Sequence, residues 1–205
     1  MIGIVDYGVG NLFSLKSSFA ALEIETEVSG DPDKIRSWDK IILPGVGAFG
    51  DAADKLRACG LVDLLRDEAA KGKPTLGICL GMQLLLEKSY EYGEHEGLGL
   101  IPGSVEPIAP KIPADYKVPH IGWNALHFPK GKPVSPIFRH IKEGDYVYFV
   151  HSYSGAGCAD SVIATTEYGA ELTAAVGKDN VYGCQFHPEK SGEVGLSILT
   201  AFAEL

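Results

Sequence analysis

The chain has 205 residues, 45% of them hydrophobic and 22% charged, a balance that suits one globular core of α/β size built without staples. A net charge of −9 speaks against a basic face for nucleic acid, and no apolar run reaches membrane-spanning length. The four cysteines form no Cys-x-x-Cys pair and do not cluster with histidine, which argues against a disulfide framework and a structural metal site.

The start, Met-Ile-Gly-Ile-Val-Asp-Tyr, lacks a basic leader and reads as a first strand, so a cytoplasmic location is expected. Ile2 to Val5 is β-branched and apolar; after a glycine turn, Leu12, Leu15, Phe19 and Leu22 recur at helical spacing. A second strand, nearer an edge, is expected over Glu25 to Val28. Asp31-Pro32 opens a polar stretch, and Lys40 to Leu43 gives a third strand ending in Pro44-Gly-Val-Gly-Ala-Phe-Gly50. Helical stretches from Asp51 to Lys71 lead to a strand at Thr75. Strands alternating with helices predict a mostly parallel open sheet with helices on both faces. The glycine turns at 8–10, 45–47 and 77–81 all follow strands, so they belong on one edge of that sheet, where ligands bind.

From Gly97 to about Val134 prolines are frequent, which predicts short antiparallel or edge strands and loops within the same domain, spanning 1–205. Further strands are expected over Tyr146 to Tyr153, Val162 to Glu167, Leu172 to Val176 and Val181 to Phe186. A last helix begins near Ser191, with Val194, Ile198, Ala201, Phe202 and Leu205 on one face.

The chemistry concentrates at Cys79. Gly77-Ile-Cys-Leu-Gly81 lies between an apolar strand and an apolar helix, the pattern of a nucleophile elbow with sulfur in place of oxygen. The flanking glycines permit a sharp bend, and the Leu80 N–H is placed to receive an oxyanion. A lone cysteine in an apolar run is more often a small core residue; support for the functional reading comes from Gln185-Phe-His-Pro-Glu-Lys190. Pro188 biases His187 toward an extended conformation, in which His187 and Glu189 point to one side as a base and its orienter. The Gly45–Gly47 loop can aim a second backbone N–H, that of Val46, at the same oxyanion. Gln83 lies one helical turn from Cys79, a place that fits either a substrate contact or a glutamine satisfied by backbone. His151-Ser-Tyr153 follows an apolar strand and offers polar groups at its end. Cys59, Cys158, Cys184, His95, His120, His127 and His140 read as packing residues. Gly45 to Gly50 also matches Gly-x-Gly-x-x-Gly, but it is not in the first strand–helix turn, and Pro44 interrupts its entry.

Gly77-Ile-Cys-Leu-Gly-Met-Gln83 together with Phe186-His-Pro-Glu189 resembles the class I glutamine amidotransferases, which use a cysteine, histidine and glutamate triad. Asp6-Tyr-Gly-Val-Gly-Asn11, Leu43-Pro-Gly-Val-Gly47, Gly122-Trp-Asn124, Tyr148-Phe-Val-His-Ser-Tyr153 and Phe186-His-Pro-Glu-Lys-Ser191 are similar to the family of glutaminase subunits of imidazole glycerol phosphate synthase. The resemblance runs from the first strand to the last helix. It implies the class I amidotransferase fold, glutamine as substrate, and a heterodimer with a cyclase subunit that receives the ammonia, with no cofactor. It also implies substrate contacts at Gly45, Gly47, Gln83, Ser152 and Tyr153, and places Asn11, Trp123 and Lys190 toward the cyclase. Competing readings are the glutaminase of another ammonia-channelling synthase, a stand-alone cysteine peptidase or γ-glutamyl hydrolase, and a non-catalytic nucleotide-binding module.

Overall fold

A computed structural model describes residues 1–205. Strands β1 (Ile2–Val5), β2 (Thr26–Ser29), β3 (Lys40–Leu43) and β4 (Thr75–Ile78) alternate with helices α1 (Leu12–Ala21), α2 (Pro32–Ser37), α3 (Phe49–Ala58) and α4 (Leu61–Ala70). Their pairings are parallel, as helical crossovers require. Helix α2 falls in the stretch whose sequence reads only as polar. Asp31 caps it by accepting from the Asp33 N–H at 2.8 Å, and Pro32 fills its first turn.

The elbow at Cys79 leads into α5 (Leu80–Leu85), which stops early because β5 (Leu86–Ser89) turns away into a second sheet. There follow β6 (His95–Glu96), β7 (Ile101–Pro107), β8 (His120–Ala125), β9 (Tyr146–His151), β10 (Tyr153–Ala156), β11 (Val162–Glu167), β12 (Glu171–Lys178), β13 (Val181–Cys184) and α6 (Gly192–Ala203). The main sheet has the order β11-β12-β13-β4-β3-β1-β2, antiparallel among its first three strands and parallel beyond. Strand β2 lies at its edge. A four-stranded sheet, β10-β7-β5-β6, and the β8–β9 ribbon make up the rest.

Apolar side chains fill both faces of the main sheet, which is why its strands read as near-continuous apolar runs. On one face Leu43, Phe49, Leu56, Leu64, Leu80 and Leu84 join a common core; on the other, Ile4, Leu15, Phe19, Leu76, Ile78, Ile198 and Phe202 do. Each such side chain, fully buried, contributes about 1.5–3 kcal/mol. Strand order settles the site. Because β13 pairs with β4 in parallel, with Cys184 opposite Ile78, the residues that follow these two strands emerge side by side.

Candidate active site

Cys79 sits where β4 becomes α5, at φ 55° and ψ −112°, a conformation that a side-chain-bearing residue adopts only when its surroundings hold it. Its neighbours do so. A Cβ on Gly81 would lie 1.9 Å from the Leu43 carbonyl oxygen, and one on Gly77 would lie 2.6 Å from the Gly81 oxygen, so the helix can pack this close to β3 and β4 only with glycine at both places. The Cys79 N–H donates to the Cys184 carbonyl at 2.7 Å, while the Leu80 N–H, at the first helical position, has no backbone partner.

His187 follows β13 and is fixed through its backbone. Its N–H donates to the Tyr148 carbonyl at 3.0 Å, and its carbonyl accepts from the Ser191 hydroxyl at 2.6 Å. His187 Nδ1 lies 2.8 Å from Glu189 Oε1, with both side chains almost fully buried. The route to this pair differs from the extended segment read in the sequence. His187 is extended, but Pro188 opens a 3-10 turn over Pro188–Lys190, and that turn brings the carboxylate back under the ring. Burial works against a charged His187; the influence of the Cys79 sulfur and of the Glu189 carboxylate outweighs it and pushes the imidazole up to about 9. Glu189 Oε2 is buried without a partner, so the carboxylate is committed to the histidine. Cys184, the other sulfur close by, is fully buried, and burial pushes its thiol up, which makes it a poor rival nucleophile.

Cys79 and His187 open onto a cavity of about 280 Å³ whose walls include Val46, Gly47, Leu80, Gln83, Glu91, His151, Ser152 and Tyr153. The two readings of Gln83 both hold in part. Its amide nitrogen donates to the Tyr153 carbonyl at 3.1 Å and to Gln185 Oε1 at 3.0 Å, while its amide oxygen makes no hydrogen bond within the protein. The Gly45–Gly47 loop lies over the start of α5: a Cβ on Gly45 would come 2.7 Å from the Gly81 nitrogen. Val46 is exposed and its N–H unpaired; Gly47 has φ 92°, and a methyl group added there would meet no atom within 4 Å. Ser152 is held through its carbonyl, which accepts from the Ile108 N–H at 3.0 Å.

Two further residues of the site carry no role in the sequence reading. Glu91, from the loop before β6, accepts the Phe49 N–H at 2.6 Å and so caps α3, and it is the one carboxylate lining the cavity. No local pattern marks it. Gln185 is fully buried with its amide nitrogen 3.9 Å from Cys79 Sγ; its one sequence signal is a polar residue between Cys184 and Phe186 in an apolar run. The Glu91 cap also answers the dinucleotide reading of Gly45–Gly50. An anion bound at the N-terminus of α3 would meet a carboxylate already in place.

Asn11, Trp123 and Lys190 are all exposed. The Asn11 side chain caps α1, accepting from the Ser14 N–H at 3.2 Å, and Trp123 packs edge-on against Tyr148 with ring centres 6.0 Å apart. The 3-10 turn carrying Lys190 packs on α1 and β9, so the three residues rise from neighbouring elements, with Phe13 and Ile121 exposed nearby in sequence. Three of the residues read as packing are exposed, and His95 is half-buried. Cys59 is exposed at the end of α3, and His127 and His140 lie on the surface beside Glu143 and Glu204, at 3.1 and 2.7 Å.

A family model for class I glutamine amidotransferases matches residues 3–204. The imidazole glycerol phosphate synthase subunit HisH of Lactococcus lactis subsp. lactis (strain IL1403) is 49% identical over 204 residues, covering 99% of this chain and 98% of its own length. That of Sulfurimonas denitrificans (strain ATCC 33889 / DSM 1251) is 51% identical over 207 residues, covering 100% and 98%. Among solved structures, PurLQS from Thermotoga maritima superposes with a TM-score of 0.74 at 21% identity, over 99% of this chain and 97% of that one. The glutaminase domain of Trypanosoma brucei CTPS with bound acivicin gives 0.66 at 17%, over 99% and 93%. At these identities the structures speak to the fold.

Proposed function

The chain belongs to the HisH family of imidazole glycerol phosphate synthase subunits, within the class I glutamine amidotransferases, and from that premise we propose that it hydrolyses glutamine and passes the ammonia to a cyclase subunit in histidine biosynthesis. The observation that carries the mechanism is the meeting of Cys79, at its strained elbow, with the His187–Glu189 pair over one cavity.

Cys79, as thiolate, attacks the side-chain carboxamide carbon of glutamine, and the carbonyl electron pair moves to oxygen. Leu80 N–H holds that oxyanion from the elbow, and Val46 N–H from the glycine loop. The His187 imidazolium gives its proton to the amide nitrogen; the C–N bond breaks and ammonia leaves, with a γ-glutamyl thioester on Cys79. Neutral His187 then takes a proton from water, whose oxygen adds to the thioester carbon. Collapse of the second oxyanion expels the Cys79 thiolate and frees glutamate, which restores the starting ion pair. Glu189 keeps the imidazole oriented throughout, and the raised His187 suits this cycle because the imidazolium persists beside sulfur at neutral pH.

At the substrate's other end, Glu91 is the lining carboxylate suited to an α-ammonium group, and the Gln83 amide oxygen is a further acceptor. Gly47, Ser152 and Tyr153 shape the cavity around the side chain, while Gly45, buried against Gly81, seats the loop. Asn11, Trp123 and Lys190 face the cyclase, and the heterodimer works in the cytoplasm. No helix is long and apolar enough to cross a membrane. The test is ammonia and glutamate release from glutamine by the purified chain with its cyclase, followed by mass spectrometry of a stalled reaction. A glutamyl adduct on Cys79 is expected; an adduct elsewhere would overturn the assignment.

A further inference from the structure

Beside the cavity, four polar links run in a line from its wall to β11, and neutral side chains cannot complete them. His151 Nδ1 lies 2.8 Å from the Tyr153 carbonyl oxygen, and His151 Nε2 lies 3.0 Å from His120 Nδ1. His120 Nε2 lies 2.8 Å from Asn124 Oδ1, and the Asn124 amide nitrogen donates to the Glu167 carbonyl at 2.9 Å. Both ends of the line are carbonyl oxygens, which only accept. Four links need four protons. The Asn124 amide supplies one, because its other end is oxygen, and two neutral imidazoles supply one each. Turning the amide over would satisfy His120 but set oxygen against the Glu167 carbonyl, so the deficit moves along the line without vanishing.

We propose that the His120–His151 pair takes up the fourth proton and, as a shared cation, holds the Tyr153 wall of the cavity in place. His151 is thereby a positioning residue, acting on the substrate wall through the Tyr153 backbone. His120 is fully buried and cannot exchange a missing bond for water. His120 lies between the Phe149 and Tyr168 rings, at 5.0 and 3.9 Å and nearly parallel to each, faces that favour a cation. The titratable groups around the pair are His187 on the cavity side, framed by Cys79 and Glu189, and the phenol of Tyr168, which donates to the Lys117 carbonyl at 2.9 Å; the Glu167 link is through its backbone. Burial, and for His151 also the charges of His120 and His187, lower both imidazoles, His151 to about 4, against the Tyr153 and Asn124 hydrogen bonds that favour the charge. The pair therefore takes up its fourth proton on the acid side of neutrality. When the proton leaves, one link opens. The Tyr153 end is the one that gives, because the Gln83 amide already donates to that carbonyl at 3.1 Å and keeps it satisfied.

The proton count needs no assumption about activity; the effect on substrate rests on the glutaminase reading. The first test is an imidazole ¹⁵N–¹H spectrum of the chain labelled at histidine. As pH is lowered toward about 4, three ring N–H protons are expected on His120 and His151 together, and two at every pH where the chain is folded would overturn the proposal. The second test is the KM for glutamine against pH in the complex with the cyclase. Discharge of the pair raises KM about tenfold, the weight of one lost hydrogen bond, while kcat does not follow it. His120→Phe keeps a ring between Phe149 and Tyr168 and leaves neutral His151 free to donate Nδ1–H to Tyr153, so the rise in KM disappears. A rise that survives in His120→Phe would refute the coupling. If no glutamine is turned over at all, the glutaminase reading fails while the proton count still decides the pair.

Discussion

The elbow at Cys79 and the loop at Gly45–Gly47 face the same cavity, yet the elbow is enclosed on every side and the loop only at its first residue. A methyl group on Gly81 or Gly77 would strike backbone, and so would one on Gly45; one on Gly47 would meet open space, and Val46 stands exposed between them. The Leu80 N–H is therefore a fixed donor, whereas the Val46 N–H is carried by the Gly45–Val46 peptide, anchored at Gly45 and leading into an exposed residue and an unconfined glycine. A donor held that way is aimed by whatever covers the loop, so full oxyanion stabilisation should wait for the cyclase and its ligand.

The largest effect should come from breaking the enclosed side. Cys79→Ala keeps the β-carbon and the fold but should lower ammonia release by about 10⁴-fold or more, read in the complex alongside an unchanged circular dichroism spectrum. Glu189→Gln leaves an acceptor for His187 but removes the charge, and kcat should fall by about 10³-fold as the histidine drops from about 9, visible as a shifted pH–rate profile. Gly81→Ala should cost about 3 kcal/mol or more in urea unfolding, because the Leu43 carbonyl cannot move aside without breaking the β3–β4 packing; Gly47→Ala, with room but a positive φ, should cost only about 1 kcal/mol. Val46→Pro removes the hinged N–H. It should lower kcat about 10²-fold in the complex and far less in the isolated chain, which separates the two donors directly.

Stability against pH is the gentlest readout. His187 titrates at about 9 when folded, above its ordinary 6.5, so its contribution is complete below about 6.5 and fades as pH rises through about 9. In Cys79→Ala that fade should shrink and move to lower pH, because the sulfur is one of the two groups that raise the histidine and Glu189 remains.

Local patterns carry much of this arrangement. Alternating apolar strands and helices, and three glycine turns each following a strand, are enough to put Gly10, Gly45 and Gly81 beside one another; a Cβ on Gly10 would touch Pro44, and one on Gly45 would touch Gly81. The elbow is legible because a Gly-x-Cys-x-Gly turn has one compact solution between a strand and a helix. Where the sequence is silent, the cause is long-range. Leu84 to Leu86 continues a helical pattern, yet the chain leaves α5 because β5 finds β7 and β6 to pair with, a gain no window of sequence contains. Glu91 reaches α3 from a loop, Gln185 hides in an apolar run, and His120 and His151 meet only because β8 and β9 align them in register. His187 and Glu189 are neighbours, as their spacing predicts, but by a different geometry: a 3-10 turn does what an extended segment was expected to do.

The most direct test of the central claim, a glutaminase completed by its partner, is ammonia release from glutamine by the purified chain alone and again with the cyclase subunit and its nucleotide ligand. Low release alone and strong activation by the complex is the expected result. High activity in the isolated chain, unchanged by the cyclase, would mean that the Val46 donor is already aimed and that the loop is not a switch.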